Sequence, residues 1–416
     1  MNEHTTNRWR VFASGWLILF MLGAVAIFSV LAKPMVALRG WSMTDLSLAY
    51  SIYTFCFAIC GIFSGRAVDL YGAKKSMYLG AFLFGGGWFF TGMCESLTQL
   101  YFVYGVIAGG GGGIMYNPVI AATLRWFPDK RGKISGMLLA SASIGPFILA
   151  PLASIALEKA GVTGTFELLG SLFFITIIAV GWMMDSAPAN YKPKGWNPVS
   201  STANTTPNKD DNKDYEWKDM LSTPLFYMLL AVFICASTAG AMMVNSTAVI
   251  AQTQISVAAT VGALAVSIST MTNFIGRLFF GAIYDKIGGF KSLLLSLAMT
   301  CVALILIGSA KSMPLFITCV IILGFAFGGL LVAFPPITGK YFGTKNLGVN
   351  YGIMFLGYSG GCFVGPRLSS YFFDTTGSFA MAYISAAGLA VLGAILVGII
   401  MLTQKRQESA ALVIKG

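Results

Sequence analysis

The chain has 416 residues, of which 56% are hydrophobic and only 10% charged, and its mean hydropathy is +0.76. A soluble domain carries roughly 25% charged residues, so this composition excludes a large water-facing globule and points to a polytopic membrane protein. The charge is lopsided, with 27 Lys and Arg against 16 Asp and Glu, and such an excess belongs either to an anionic partner or to loops held on one side of a bilayer.

A helix needs about 20 apolar residues to cross the hydrocarbon core. With that window the chain divides into twelve expected spans, at 11–32, 46–67, 77–94, 101–124, 134–157, 166–184, 224–247, 257–284, 291–310, 313–336, 349–372 and 378–402. The first follows Arg8 and Arg10 as a signal peptide would, but its apolar stretch is too long for an h-region and reads as a retained helix. Between the sixth and seventh spans, 185–223 holds Pro188, Pro193 and Pro207, a Ser/Thr run and mixed charge, the composition of a flexible linker. The expected organisation is a six-helix bundle at 1–184, a cytoplasmic linker at 185–223 and a second six-helix bundle at 224–416. With both termini inside, 21 Lys and Arg fall on the cytoplasmic side, four on the outer side and two, Arg277 and Arg367, within spans. The positive-inside rule then places the termini in the cytoplasm of a bacterial inner membrane and absorbs most of the basic excess.

The halves repeat. Gly65-Arg66-Ala67-Val68-Asp69-Leu70-Tyr71-Gly72-Ala73-Lys74-Lys75 and Gly281-Ala282-Ile283-Tyr284-Asp285-Lys286-Ile287-Gly288-Gly289-Phe290-Lys291 both read G-x-x-x-D-x-x-G-x-x-K, 216 residues apart. Arg125-Trp126-Phe127 is echoed by Lys340-Tyr341-Phe342, and Gly136 and Gly352 again stand 216 apart. Two parallel repeats imply a site where they meet. In the loop, Gly65 and Gly281 suit close helix approach, Asp69 and Asp285 suit capping or pairing at the end of the next helix, and Gly72 and Gly288 suit a positive φ. These residues read as gating and structural parts.

The duplicated loop, the twelve spans and the central linker resemble the major facilitator superfamily along essentially the whole chain. Arg125-Trp126-Phe127-Pro128-Asp129-Lys130-Arg131-Gly132 leading into Ser135-Gly136 resembles the oxalate/formate antiporters and monocarboxylate porters more narrowly. Asn350-Tyr351-Gly352 and Asn273-Phe274-Ile275-Gly276-Arg277 extend that likeness. The resemblance implies an all-α integral membrane fold of two six-helix pseudo-repeats and secondary transport of a small organic anion.

Arg277 is the one charge between Asp219 and Asp285. A buried charge costs at least about 2.5–3.5 kcal/mol on insertion scales, so it needs a partner. No carboxylate lies deep in any span, and a substrate carboxylate on its planar donor fork supplies one. Asn273, one turn earlier, can add an amide hydrogen bond. The resemblance likewise implies that an arginine at this point of the eighth helix anchors substrate. It further implies an acid one turn before it in some proton-coupled porters, where this chain has Asn273. It places a lysine of oxalate-type members at Tyr358, which favours a monocarboxylate over a dicarboxylate.

Tyr116 and Asn117, after Gly109 to Gly113, are expected beside the cavity, although Asn117 precedes Pro118 and could instead serve backbone freed at a kink. Phe28 and Ala26 stand where oxalate-type members show tryptophan and tyrosine, which thins the aromatic cage. Phe334 and Tyr358 are expected either to line the opposite wall or to pack in the core. Arg367, after Pro366, either snorkels and pairs with Asp374 or serves an outer gate. No H-E-x-x-H, paired intramembrane acids or Walker A motif occurs, so no enzyme, metal, cofactor or ATP-driven pump is expected. The expected partners are a small organic anion and lipid, in a monomer without nucleic acid. Two readings compete with monocarboxylate transport: oxalate:formate-type exchange, and a transporter-like membrane sensor signalling through its tails or linker.

Overall fold

A computed structural model of the chain describes residues 7–188, 191, 193 and 214–413; the Asn204 region of the linker lies outside the described residues. The first span is α1 (Arg8–Leu22), a 3-10 stretch (Gly23–Ile27) and α2 (Phe28–Arg39). The Asn7 side chain accepts from the Trp9 N–H to start it, and Gly40 closes it at φ +70°. The second and third spans are α3 (Met43–Tyr71) and α4 (Ala73–Thr91). The fourth combines α5 (Leu97–Leu100), a π-helical stretch (Tyr101–Ala108) and α6 (Gly109–Trp126), and a Ser96/Gln99 capping box opens it.

The fifth and sixth spans run together as α7 (Arg131–Gly181), broken where Gly161 takes φ +66° and ψ −171°. No turn longer than that one residue separates them. After the short α8 (Trp217–Leu221) come α9 (Pro224–Gln254), α10 (Ala259–Ile287), α11 (Gly289–Gly308) and α12 (Met313–Tyr341). The eleventh span is α13 (Leu347–Met354) with α14 (Leu356–Thr376), and α15 (Ala380–Val413) is the twelfth. Helices account for all twelve expected spans.

Among the described residues, nine helical stretches are long and apolar enough to cross a bilayer on composition alone. The fifth and sixth spans count there as one. The third falls short because Lys74 and Lys75 open its helix, and the fourth because Gly109 to Gly113, Asn117 and Arg125 dilute its hydropathy. Large apolar side chains face outward along the spans, as with Phe63 at 73% exposure and Ile305 at 64%, which suits hydrocarbon and not water.

The chain forms two compact units. One comprises Met1–Pro128, Leu138–Lys194 and Thr344–Ile353; the other comprises Asp129–Met137, Gly195–Gly343 and Met354–Gly416. Two short segments therefore exchange relative to a division at the linker. In the first unit Gly65 packs on the Gly348–Val349 backbone, and a Cβ there would stand 2.7 Å from the Val349 nitrogen. Arg125 ties the same segment down, donating from Nε to the Thr344 carbonyl and from Nη2 to the Lys345 carbonyl, each at 2.7 Å. The Lys74–Asp185 ion pair closes this end at 2.6 Å.

In the second unit a core of Met242, Ile250, Leu304, Phe316 and Phe379 is sealed by Gln254. Its amide donates to the Ile307 and Ala310 carbonyls at 2.8 and 3.0 Å and accepts from the Tyr383 hydroxyl at 2.7 Å.

Candidate functional site

Arg277 lies in the apolar body of α10, partly buried, and its Nε donates to Asn273 Oδ1 at 3.0 Å. Asn273 is only 8% exposed, so the pairing fixes the plane of the guanidinium from within the helix. The backbone beneath is held by glycines on two other helices of the same unit. A Cβ at Gly328 of α12 would stand 3.0 Å from the Arg277 nitrogen and closer still to the Asn273 carbonyl oxygen. A Cβ at Gly136 of α7 would overlap the Arg277 carbonyl. The charged side chain thus stands on a helix packed closely, backbone to backbone, against both glycines. The sequence marked Gly136 only as a repeat and gave Gly328 no role, because glycine is common in membrane helices and its partner is distant in the chain.

The aromatic candidates of this unit separate. Phe334 is fully buried and stacks on Phe233 with centroids 3.6 Å apart and planes within 6°. It is a core aromatic, the packing alternative of the two readings given to it. Tyr358 is half-buried and lies against Phe233 at 6.0 Å and Phe355 at 5.1 Å. Phe233, which links the two, was not singled out in the sequence, since an all-apolar helix shows no face by periodicity. Arg367 is exposed, with Cζ 3.5 Å from the Phe363 ring centroid, and donates from Nη1 to the Phe363 carbonyl at 3.2 Å. Among the described residues no ion pair joins it to Asp374; the guanidinium turns back onto its own helix.

In the first unit Tyr116 is 8% exposed and tilts against Phe57 at 5.3 Å. Phe57 continues to Tyr53 at 6.2 Å, Tyr53 to Tyr104 at 5.0 Å, and Tyr104 to Phe28 at 4.0 Å. Phe28 is therefore packed at the end of an aromatic row, 3% exposed. The side chain of Ala26 lies outside the described residues. Asn117 is 2% exposed, its Oδ1 has no hydrogen-bond partner among the described residues, and its Nδ2 would be 2.8 Å from a Cβ at Gly61.

At the repeated loops, Gly72 and Gly288 take φ +85° and +87°. Asp285 accepts from the Gly132 and Lys133 backbone N–H groups at 2.8 and 2.9 Å, so it caps the start of α7. The expectation was the next helix in sequence. Gly288 itself occupies the N-cap of α11 and leaves the carboxylate to reach sideways. Gly281 permits this, since a Cβ there would stand 2.7 Å from the Gly132 carbonyl oxygen and 3.0 Å from Gly136 Cα. The side chain of Asp69 lies outside the described residues. Among the described residues no group of three or more His, Cys, Asp or Glu gathers to hold a metal.

The Major Facilitator Superfamily model matches residues 15–289 and 232–413. The oxalate:formate antiporter of Oxalobacter formigenes is 29% identical over 349 residues, covering 83% of this chain and 80% of that protein. Human monocarboxylate transporter 12 is 22% identical over 382 residues, covering 86% and 73%. Among solved structures, the transporter FucP in its outward conformation matches with a TM-score of 0.71 and 15% identity over 93% of this chain and 98% of that one.

Proposed function

The chain belongs to the major facilitator superfamily, a family of transporters and not enzymes, and on that premise we propose that it carries a small monocarboxylate of the lactate, pyruvate or formate type. The observation that carries the reading is Arg277, a guanidinium in the apolar body of α10 whose Nε is held by Asn273. A substrate carboxylate engages its planar donor fork through charge-assisted hydrogen bonds. Alternating access around such an anchor couples movement to occupancy. Support for small carboxylates comes from the names of the two relatives. Support for one carboxylate over two comes from Tyr358, which brings no second charge to the aromatic group it shares with Phe233.

Asn273 offers no titratable proton beside Arg277, so the coupling is anion exchange or symport in which the proton travels with substrate and water. Tyr358 is the proposed aromatic neighbour of the anchor within its unit, Tyr116 and Asn117 are the proposed ligand-facing residues of the first unit, and Asp285, Asp69, Gly65, Gly281 and Arg367 are proposed to serve gating. The protein is multi-pass; the proposed setting is a bacterial plasma membrane with both termini cytoplasmic, on the 21-to-four distribution of basic residues. The likeness to the oxalate:formate antiporter supports dicarboxylate exchange as the second reading.

A proteoliposome counterflow screen over lactate, pyruvate, formate, oxalate and acetate, with and without a pH gradient, separates these. Exchange confined to the monocarboxylates is the expected outcome. Preferred exchange of oxalate establishes the second reading instead, and ligand binding without any counterflow overturns both in favour of a sensor.

A further inference from the structure

Within the first unit, α4, the π-helical stretch and the second half of α7 enclose an outward-open groove of about 480 Å³. Phe82, Gly86, Phe90, Val103, Ile107 and Phe174 are among its walls. The glycine triplet makes it. Gly85 is used in packing, since a Cβ there would lie 2.7 Å from Phe174 Cβ, and Gly87 likewise against Ala108 at 2.7 Å. Gly86 between them meets nothing within 4 Å, so the middle of a membrane span is bare backbone facing open space. The π-helical register, rare and tied to function elsewhere, forms the facing wall.

Water does not fill an apolar groove, and no protein segment described here covers it. It lies in hydrocarbon, so its occupant is hydrocarbon too. We propose that this groove holds one acyl chain of a phospholipid whose phosphodiester sits at Arg39. Arg39 Nη2 donates to the Gly92 carbonyl at 3.4 Å, and Thr163 Oγ1 donates to the same oxygen at 3.0 Å. Gly92 is two residues beyond Phe90 of the groove wall, so the guanidinium is tethered next to the Phe90 end of α4. Lipid tails are as apolar as leucine, so hydrophobicity does not favour the groove over the surrounding bilayer. Selectivity comes from the fit of a flexible chain against the Phe82, Phe90 and Phe174 rings and from the guanidinium–phosphate pair. The inference rests on the membrane fold and is independent of the transported substrate.

The test uses the full chain in nanodiscs of phosphatidylethanolamine and phosphatidylglycerol, with trace phosphatidylglycerol bearing a mid-chain diazirine. After irradiation, labelled peptides are mapped by mass spectrometry. Saturable labelling concentrated on residues 82–90, 103–107 and 170–174 is expected. Gly86→Leu, which fills open space and improves helix propensity, is expected to cut it about fivefold while labelling at exposed Ile305 and Ile395 stays unchanged. Arg39→Gln is expected to cut it about threefold. Labelling at the groove that equals that at Ile305 and ignores Gly86→Leu overturns the site. Loss with Gly86→Leu but not with Arg39→Gln overturns the headgroup assignment.

Discussion

The two units are built from repeats 216 residues apart, yet their interiors are chemically unlike. The first presents a row of rings, from Phe28 through Tyr104, Tyr53 and Phe57 to Tyr116, beside five consecutive glycines of α6. The second places a full charge, Arg277, on a helix fixed by Gly136 and Gly328. Duplication supplied a common scaffold; specialisation supplied charge to one copy and apolar surface to the other. In the proposed function, the charge of the second unit holds the ion. Each substitution below tests whether that division is real.

The largest effect is expected at the charge itself. Lys keeps the charge of Arg277 but loses the planar fork and the Nε that Asn273 holds. Arg277→Lys is expected to lower uptake by about 100-fold with normal expression, the worth of two charge-assisted hydrogen bonds. Tyr116→Phe, in the other unit, is expected to cost no more than about fivefold. Radiolabelled uptake in cells, corrected for protein in the membrane, compares the two. Full transport by Arg277→Lys removes the basis of the comparison.

The twelve spans and Arg277 were legible in the sequence for one reason: a membrane helix is a long apolar run, and a charge inside it stands out. What was not legible depends on direction or on distant contact. Phe334 and Phe233 could not be assigned to core or cavity, because a helix apolar all round shows no periodic face. Asp285 was readable as a cap, but its acceptor role at α7 joins residues 153 positions apart. The π-helical stretch carries no local sequence signature that separates it from continuous α-helix, and the gap expected between 157 and 166 did not show that the single residue Gly161 makes the break.

Asn273 sharpens the comparison next. Asn273→Ala removes the orienting hydrogen bond and is expected to raise KM about fivefold with little change in maximal rate. Asn273→Asp is more informative. At neutral pH the new carboxylate pairs with Arg277 and competes with substrate, so uptake falls. Acidification protonates it and frees the guanidinium, so uptake rises as pH falls, on a slope the natural residue does not impose. A pH profile of exchange under equal internal and external pH reads this directly; an unchanged profile separates Asn273 from the anion site.

A smaller effect, on stability rather than rate, is expected at the α7 cap. Asp285→Ala removes an acceptor from two backbone N–H groups and is expected to destabilise the detergent-solubilised protein by about 1–2 kcal/mol. Asp285→Asn keeps an acceptor oxygen and is expected to lose less than half of that. Thermal unfolding of the two variants checks the order; equal losses make the charge, and not the hydrogen bonds, the source of the effect.

The smallest effect on transport is expected at Phe334. Its ring is fully buried and stacked on Phe233 at 3.6 Å, enclosed by protein. Phe334→Leu keeps an apolar side chain in the stack and is expected to shift KM by less than about twofold, while costing about 1 kcal/mol of stability. Tyr358→Phe, on the half-exposed ring two steps along the same cluster, is expected to shift KM more than Phe334→Leu does. Measured KM values for the pair decide which rings meet substrate. A tenfold shift at Phe334 would put the interior of the cluster in the site, and the second unit would then contribute both a charge and an aromatic wall.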